Sequence, residues 1–278
     1  MTGWTPGSAA NPWLRPSRPL IIAHRGHSLE VPENTTEAYR RAIELGTEMI
    51  EADVNISRDG QLVMMHDARL DRTTDGHGPV SDLSWSELAD LDAGRWFGED
   101  FAGLRIPTTE DTIELARDAG IWMCFEVKGG NPAESEQISN ALVRLLVARD
   151  ALGFAAMSGY NHNVLALAKR YAPELVLAPE RLPDYEALDA LIAIAQARAL
   201  EAPIIQIHHR FLTAGLVDAF HDAGVAVWSW PTTEEAAIVS SVAAGVDGLM
   251  GDDVWRIVDV VERDRGRPVA DQEASHAG

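Results

Sequence analysis

The chain has 278 residues, 46% hydrophobic and 24% charged, an ordinary make-up for a soluble globular protein able to bury a sizeable core. Its 43 acidic against 23 basic residues leave a formal net charge of −20, a surface that repels nucleic acid and anionic membranes and needs local positive charge or a bound cation wherever it holds an anion. A single cysteine, Cys124, excludes an intramolecular disulfide, and no run approaches the roughly 18 apolar residues of a membrane span.

Residues 1–19 are rich in Pro, Gly, Ser and Asn and read as an irregular lead-in, without the basic and apolar regions of an export signal; the expectation is a cytoplasmic protein with no membrane anchor. The first apolar run, Leu20–His24, predicts a strand, and helical spacing follows over Asn34–Leu45. A second strand is expected over Glu48–Val54 and an extra short one over Gln61–His66. Residues 67–107 then break the rhythm with turn signals such as Thr74-Asp75-Gly76, and read as a subdomain of about forty residues inserted after the second barrel strand, a candidate substrate lid.

Beyond it, strands over Ile121–Val127, Phe154–Met157, Leu175–Ala178, Ile204–Ile207, Val225–Trp230 and Val246–Met250 alternate with helices. Those helices are expected over Thr109–Ala119, Ala133–Arg149, Asn161–Tyr171, Asp184–Ala199, Thr213–Ala223, Thr233–Ala244 and Asp253–Arg263. Eight strand–helix units imply parallel strands with helices outside, an α/β chain closed as a (β/α)8 TIM barrel over residues 20–264, with a polar tail over 265–278. Cys124, inside an apolar run, reads as a small core residue.

In a parallel barrel, chemistry gathers at the C-terminal ends of the strands. Glu51 and Asp53 stand two apart and therefore share a face, as do Glu126 and Lys128. Inward carboxylates repel one another unless a cation joins them, and their oxygens suit Mg²⁺, Ca²⁺ or Mn²⁺. Glu51, Asp53 and Glu126 are therefore candidate metal ligands, and Lys128 a candidate point charge for a phosphate oxygen. His24 and His66 each end an apolar run, positions suited to a general acid and a general base, and Arg25 can fork onto a phosphate. Of nine histidines, the remaining seven form no zinc spacing. Walker, dinucleotide-binding and nucleophile-elbow motifs are absent.

These residues, with Pro32-Glu33-Asn34-Thr35, Asp59-Gly60, Asp67 and Leu70-Asp71-Arg72-Thr73-Thr74, resemble the signature of the glycerophosphodiester phosphodiesterases in order and spacing. Ile106-Pro107-Thr108, Trp228 and Gly245-Val246-Asp247-Gly248 extend the likeness along most of the chain. The resemblance implies a barrel with an insertion, acid–base catalysis by His24 and His66, and a Ca²⁺ or Mg²⁺ ion on Glu51, Asp53 and Glu126. It also implies phosphate contacts from Arg25 and Lys128, and cleavage of a small-molecule glycerophosphodiester to glycerol 3-phosphate and an alcohol.

Two segments depart from the family pattern: Trp228-Ser229-Trp230-Pro231, where the family often reads Trp-Thr-Val-Asn, and Gly251-Asp252-Asp253-Val254, where it often reads Thr-Asp-x-Pro. Trp228 and Trp230 share a strand face and are candidate pocket-lining residues, with Trp228 the better placed because Pro231 follows Trp230. Insertion residues such as His77, Trp85, Trp96 and Phe97 are candidates to shape the alcohol half of the pocket. Two rival readings stand beside hydrolysis: a lyase ending at a cyclic phosphate, as in sphingomyelinase D-like enzymes, and a non-catalytic phosphate-ligand binder.

Overall fold

The computed structural model describes residues 11–15, 17–181 and 190–264. The start of the expected lead-in, the tail from 265 and the first part of the helix expected at Asp184–Ala199 lie outside them. Eight parallel strands form the ring: β1 (Leu20–His24), β2 (Met49–Ile56), β4 (Trp122–Val127), β5 (Ala155–Gly159), β6 (Val176–Pro179), β7 (Ile204–His208), β8 (Ala226–Trp230) and β9 (Gly248–Gly251). Their order is β6-β5-β4-β2-β1-β9-β8-β7, and the short β3 (Leu62–Met64) pairs antiparallel with the far end of β2. The ring closes between β6 and β7 through a single bridge, Glu180 to Gln206, reinforced by the Gln206 side-chain amide donating to Ala178 O at 2.9 Å. This is the TIM barrel that strand–helix alternation implied.

The helices are α1 (Thr36–Glu44), α2 (Trp85–Leu88), α3 (Thr109–Ala119), α4 (Pro132–Ala148), α5 (His162–Tyr171), α6 (Ala190–Ala199), α7 (Ala214–Asp222), α8 (Glu235–Ala244) and α9 (Val254–Asp264). Several start on side chains that accept from otherwise unpaired backbone amides: Thr35 from Ala38, Thr108 from Asp111, Asn131 from Ala133 and Glu134, Thr213 from Leu216. The first helix therefore begins at Thr36, two residues later than its apolar spacing suggested, because Thr35 is its cap and Asn34 lies in the left-handed region at φ 56°. Outward strand residues such as Ile50, Phe125, Met157 and Val227 pack with the helices in the main core. Among the described residues, no helix is long and apolar enough to cross a membrane.

Inward residues make a second layer inside the ring. Leu20, Met49, Ile204 and Ala226, each the first residue of its strand, pack with Trp13 and Trp228 and so mark the N-terminal mouth. Trp13 plugs that mouth, edge-on to Trp122 at 4.8 Å and to Trp228 at 5.7 Å between ring centres. The Asn11 side-chain amide donates to Pro203 O (2.6 Å) and Gly224 O (3.0 Å), and Arg15 N donates to Asp247 Oδ1 (2.7 Å).

The insertion between β3 and α3 carries two 3-10 turns and α2 around its own small core of Val63, Met65, Leu70, Val80, Leu88, Ala93 and Ile106. Trp96, Phe97 and Phe101 pack edge-to-face on one another.

Candidate active site

The C-terminal mouth holds a cavity of about 130 Å³ walled by His24, Arg25, Glu51, His66, Glu126, Lys128, Tyr160, Glu180, Gln206, Trp230, Pro231 and Met250. The register explains the gathering. Glu51 pairs with His24 of β1, and Asp53 with Glu126 of β4, so charged residues of three neighbouring strands lie on two successive levels at the C-terminal mouth. Glu51, Asp53 and Glu126 each direct one carboxylate oxygen to within 4.8 Å of the other two, and all three side chains are buried.

Two cations face this cluster. Lys128 Nζ lies 2.5 Å from Glu126 Oε1 and 3.1 Å from Asp53 Oδ1, and Arg25 Nε lies 3.0 Å from Asp53 Oδ2. Arg25 reaches inward from a left-handed backbone (φ 59°), followed by Gly26 at φ 89°. A Cβ on Gly26 would stand 2.6 Å from the Ala38 backbone, so only glycine lets the loop pass α1 this closely. Asn34 supports the same carboxylate, donating from Nδ2 to Asp53 Oδ2 at 2.7 Å while accepting from Asp53 N and from Tyr39 Oη. Strained backbone at both Arg25 and Asn34 is thus concentrated around Asp53.

The electrostatics are those of a site short of positive charge. Burial pushes Asp53 up, but Lys128 and Arg25 outweigh it and hold the group well below the usual carboxylate range. Burial, then the nearby Asp53 and Glu126 charges, drive Glu51 well above that range. Burial, then Glu180, pushes Glu126 up to about 8. Glu51 Oε1, Asp53 Oδ1 and Glu126 Oε1 are all buried, and Lys128 sits at ion-pair distance from the last two while Glu51 Oε1 has no donor among the described residues. Three converging hard oxygens, whose mutual repulsion Lys128 and Arg25 offset only in part, fit a divalent cation. The buried acidic triad is therefore competent to bind a metal.

Both histidines carry a carboxylate partner. A carboxylate only accepts, so His24 Nδ1–H donates to Asp252 Oδ1 and His66 Nδ1–H to Asp67 Oδ1, each at 2.6 Å. That leaves Nε2 of each ring to exchange a proton. Burial lowers the proton affinity of His66. Asp252 also accepts from Ser28 Oγ (3.1 Å) and Thr233 Oγ1 (2.9 Å).

The two departures from the family pattern now have separate explanations. A Cβ at Gly251 would stand 2.5 Å from Thr232 O, so the β8–α8 loop excludes a side chain there, while Asp253 Oδ1 accepts from Arg256 N in the first turn of α9. Trp228 and Trp230 share the inward face, but at different depths. Trp228 is fully buried in the lower layer and does not line the cavity, a correction to its expected place; Trp230, one layer higher at the strand end, does. Alternation along a strand tells face, not depth.

The insertion's aromatic residues and His77 are absent from the cavity wall, which is closed instead by Tyr160, Trp230 and Pro231. Tyr160 and Trp230 meet edge-on at 6.4 Å, and the stacked pair His208 and His209 continues the rim beyond Trp230. His27 is buried, between Glu30 and the backbone amide of Val254.

Glu180, Tyr160, Gln206 and the aspartates Asp67 and Asp252 were not assigned from sequence. Asp67 had the signal of adjacency to His66. Glu180 directly follows β6, so the strand-end rule would have found it.

Comparison with known proteins follows the same residues. The family model for the glycerophosphoryl diester phosphodiesterase family matches residues 24–255. A glycerophosphodiester phosphodiesterase of Caldanaerobacter subterraneus subsp. tengcongensis is 34% identical over 247 residues, covering 88% of this chain and 98% of its own. The solved structure of an Oleispira antarctica phosphodiesterase in complex with the product sn-glycerol-3-phosphate superposes with a TM-score of 0.80 at 29% identity, over 88% of this chain and 97% of that one. The glycerophosphodiester phosphodiesterase of Agrobacterium tumefaciens gives a TM-score of 0.71 at 26% identity, over 86% and 99%. The chain belongs to the glycerophosphoryl diester phosphodiesterase family and is a phosphoric diester hydrolase.

Proposed function

We propose that the protein hydrolyses a glycerophosphodiester to glycerol 3-phosphate and an alcohol, with a divalent cation (Ca²⁺ or Mg²⁺, with Mn²⁺ a third candidate) held by Glu51, Asp53 and Glu126. The observation that carries this reading is the convergence of a buried acidic triad, two of whose members line the cavity, with two cationic side chains and two histidines each backed by a carboxylate. Charge supports it as well. Glu51, Asp53, Glu126 and the neighbouring Glu180 outnumber the cations Arg25 and Lys128, and a divalent ion offsets that excess of negative charge before an anionic phosphodiester enters.

Bound there, the cation supplies electrostatic stabilisation of the non-bridging phosphate oxygens. Arg25 and Lys128 hold and orient the phosphate from opposite sides of Asp53. One histidine takes the proton of the nucleophile through Nε2, and the other gives a proton to the alcohol oxygen as its bond to phosphorus breaks; the nucleophile is water, or the neighbouring glycerol hydroxyl by way of a cyclic phosphate that water then opens. Tyr160 and Trp230 contact the alcohol half of the substrate. The product in the Oleispira relative is glycerol 3-phosphate, consistent with a site that keeps the phosphate on the glycerol side.

The test is an assay on metal-stripped protein with glycerophosphocholine and glycerophosphoethanolamine, adding back Ca²⁺, Mg²⁺ or Mn²⁺ and following glycerol 3-phosphate. Metal-restored release is the expected result. Phosphorus NMR of the same mixture showing a cyclic phosphate as the end product would replace hydrolysis by the lyase reading. Saturable binding without turnover under every cation would leave the ligand-binding reading.

A further inference from the structure

Two motifs that marked the sequence, Pro32–Thr35 and Leu70–Thr74, place no residue in the cavity wall. The structure joins them through Arg72, which uses both edges of its guanidinium. Nη1 donates to Glu33 Oε2 (2.7 Å) and Nη2 to Glu33 Oε1 (2.8 Å); Nε donates to Asp67 Oδ2 (2.8 Å) and Nη2 also to Asp67 Oδ1 (3.0 Å). Each of these carboxylates holds a second partner that does face the cavity. Glu33 Oε1 accepts from Arg25 Nη1 at 2.9 Å, and Asp67 Oδ1 from His66 Nδ1 at 2.6 Å. An unbroken chain of charged contacts thus runs Asp53–Arg25–Glu33–Arg72–Asp67–His66.

We propose that Arg72 is a positioning residue that fixes Arg25 and His66 relative to each other, so that the phosphate-holding group and the proton-exchanging group sit at one spacing. The inference rests on the phosphodiesterase reading above. Arg72 and Asp67 come from the insertion, Asp67 at its start three residues after β3, and Glu33 from the loop before α1. The insertion's contribution to the reaction is to brace the site from behind, rather than to cover it.

The chemistry explains why the brace is an arginine. Glu33 and Asp67 both lean on one guanidinium, and without it two carboxylates would face each other with one cation fewer between them. Each would then pull differently on its cavity-side partner: Glu33 on Arg25, Asp67 on His66. A planar fork with five donors serves two carboxylates at fixed angles; a lysine ammonium is a point donor and cannot do so. Because the Arg72 side chain is 42% exposed, its removal leaves an opening to solvent rather than a hole in the core.

The experiment compares Arg72→Ala, Arg72→Lys and the wild type in kcat and KM for glycerophosphocholine, with thermal unfolding of each. Arg69→Ala is the control, since Arg69 lies in the same loop but its guanidinium, among the described residues, pairs with exposed Asp71 at 3.1 Å. Expected are losses in kcat of about 10–100-fold for both Arg72 variants, unchanged unfolding, and no effect of Arg69→Ala. Guanidinium chloride at low, non-denaturing concentration should restore kcat severalfold in Arg72→Ala only. Activity of Arg72→Ala within twofold of wild type overturns the inference. So does a loss that accompanies a lowered unfolding midpoint and resists guanidinium, which would make Arg72 a purely structural tie. A wild type inactive on every glycerophosphodiester overturns the functional reading itself, a result visible before any variant is made.

Discussion

His24 and Asp252 stand 228 positions apart in the sequence and meet at 2.6 Å, Nδ1 donating to Oδ1, so that the last strand of the barrel orients the histidine of the first. A histidine held this way offers the same nitrogen to the cavity in every molecule. Substituting Asp252→Asn keeps the volume but lets an amide replace the carboxylate, which no longer selects the tautomer or stabilises a charged ring. kcat is expected to fall about 10–100-fold with little change in KM. Steady-state kinetics on the two proteins checks this, and equal kcat values would remove Asp252 from the site.

The same pairing has a cost at low pH. Burial pushes Asp252 up, but His24, Thr233 and Ser28 outweigh it and hold the group at about 2, against an ordinary 3.8. Asp67, bound mainly by Arg72, is also held at about 2. A carboxyl held below its unfolded value stabilises the fold above that value and loses the contribution as pH falls through the folded one. Stability should therefore decline between about pH 4 and pH 2, by roughly 1 kcal/mol from Asp252 after allowance for its partial exposure. Urea unfolding across that range reads it, and Asp252→Asn should show a shallower decline than the wild type.

Metal binding should release protons. Burial and Glu180 push Glu126 up to about 8, and burial with its acidic neighbours also raises Glu51, so below that range a proton competes with the cation for the triad. Affinity for Ca²⁺ or Mg²⁺ is expected to rise as pH climbs from 6 toward 8. Calorimetric titration in two buffers of different ionisation enthalpy measures the proton release directly. Glu51→Gln should abolish most of the heat.

The two tryptophans of β8 should separate stability from turnover. Trp228 is fully buried against Trp13, and replacing it by alanine leaves a large cavity, with an expected loss of about 3–5 kcal/mol. Trp230→Ala should unfold like the wild type yet raise KM severalfold and change the preference among alcohol groups. Both are read by thermal unfolding and by kinetics with two headgroups; a larger KM effect from Trp228→Ala than from Trp230→Ala would contradict the depths described.

Much of this was legible in the sequence, for identifiable reasons. The strands are short apolar runs buried on both faces, so their positions show without any partner, and a carboxylate pair spaced two apart in such a run, as at Glu51 and Asp53, points inward. What alternation cannot convey is depth, which is why Trp228 and Trp230 looked equivalent. Nor can it convey which distant residue closes on which. Asp252 was visible as a carboxylate after β9, but its partner is set by the ring closing β9 onto β1. The Glu33–Arg72–Asp67 brace was equally hidden, since Glu33 comes from the loop before α1 and its partners from the insertion.

Trp13 and Asn11 carry a consequence for the order of assembly. Asn11 is bound by carbonyls of Pro203 and Gly224, residues 192 and 213 positions later, and Arg15 by Asp247, 232 positions later. During synthesis this segment leaves the ribosome before any of its partners exists, and closure over so long a separation is slow compared with pairing of adjacent strands. Made before its partners, this segment can dock only once they are in place. Its engagement is a seal on the finished ring, and the fluorescence of Trp13 among Trp122 and Trp228 would report the moment at which folding is complete.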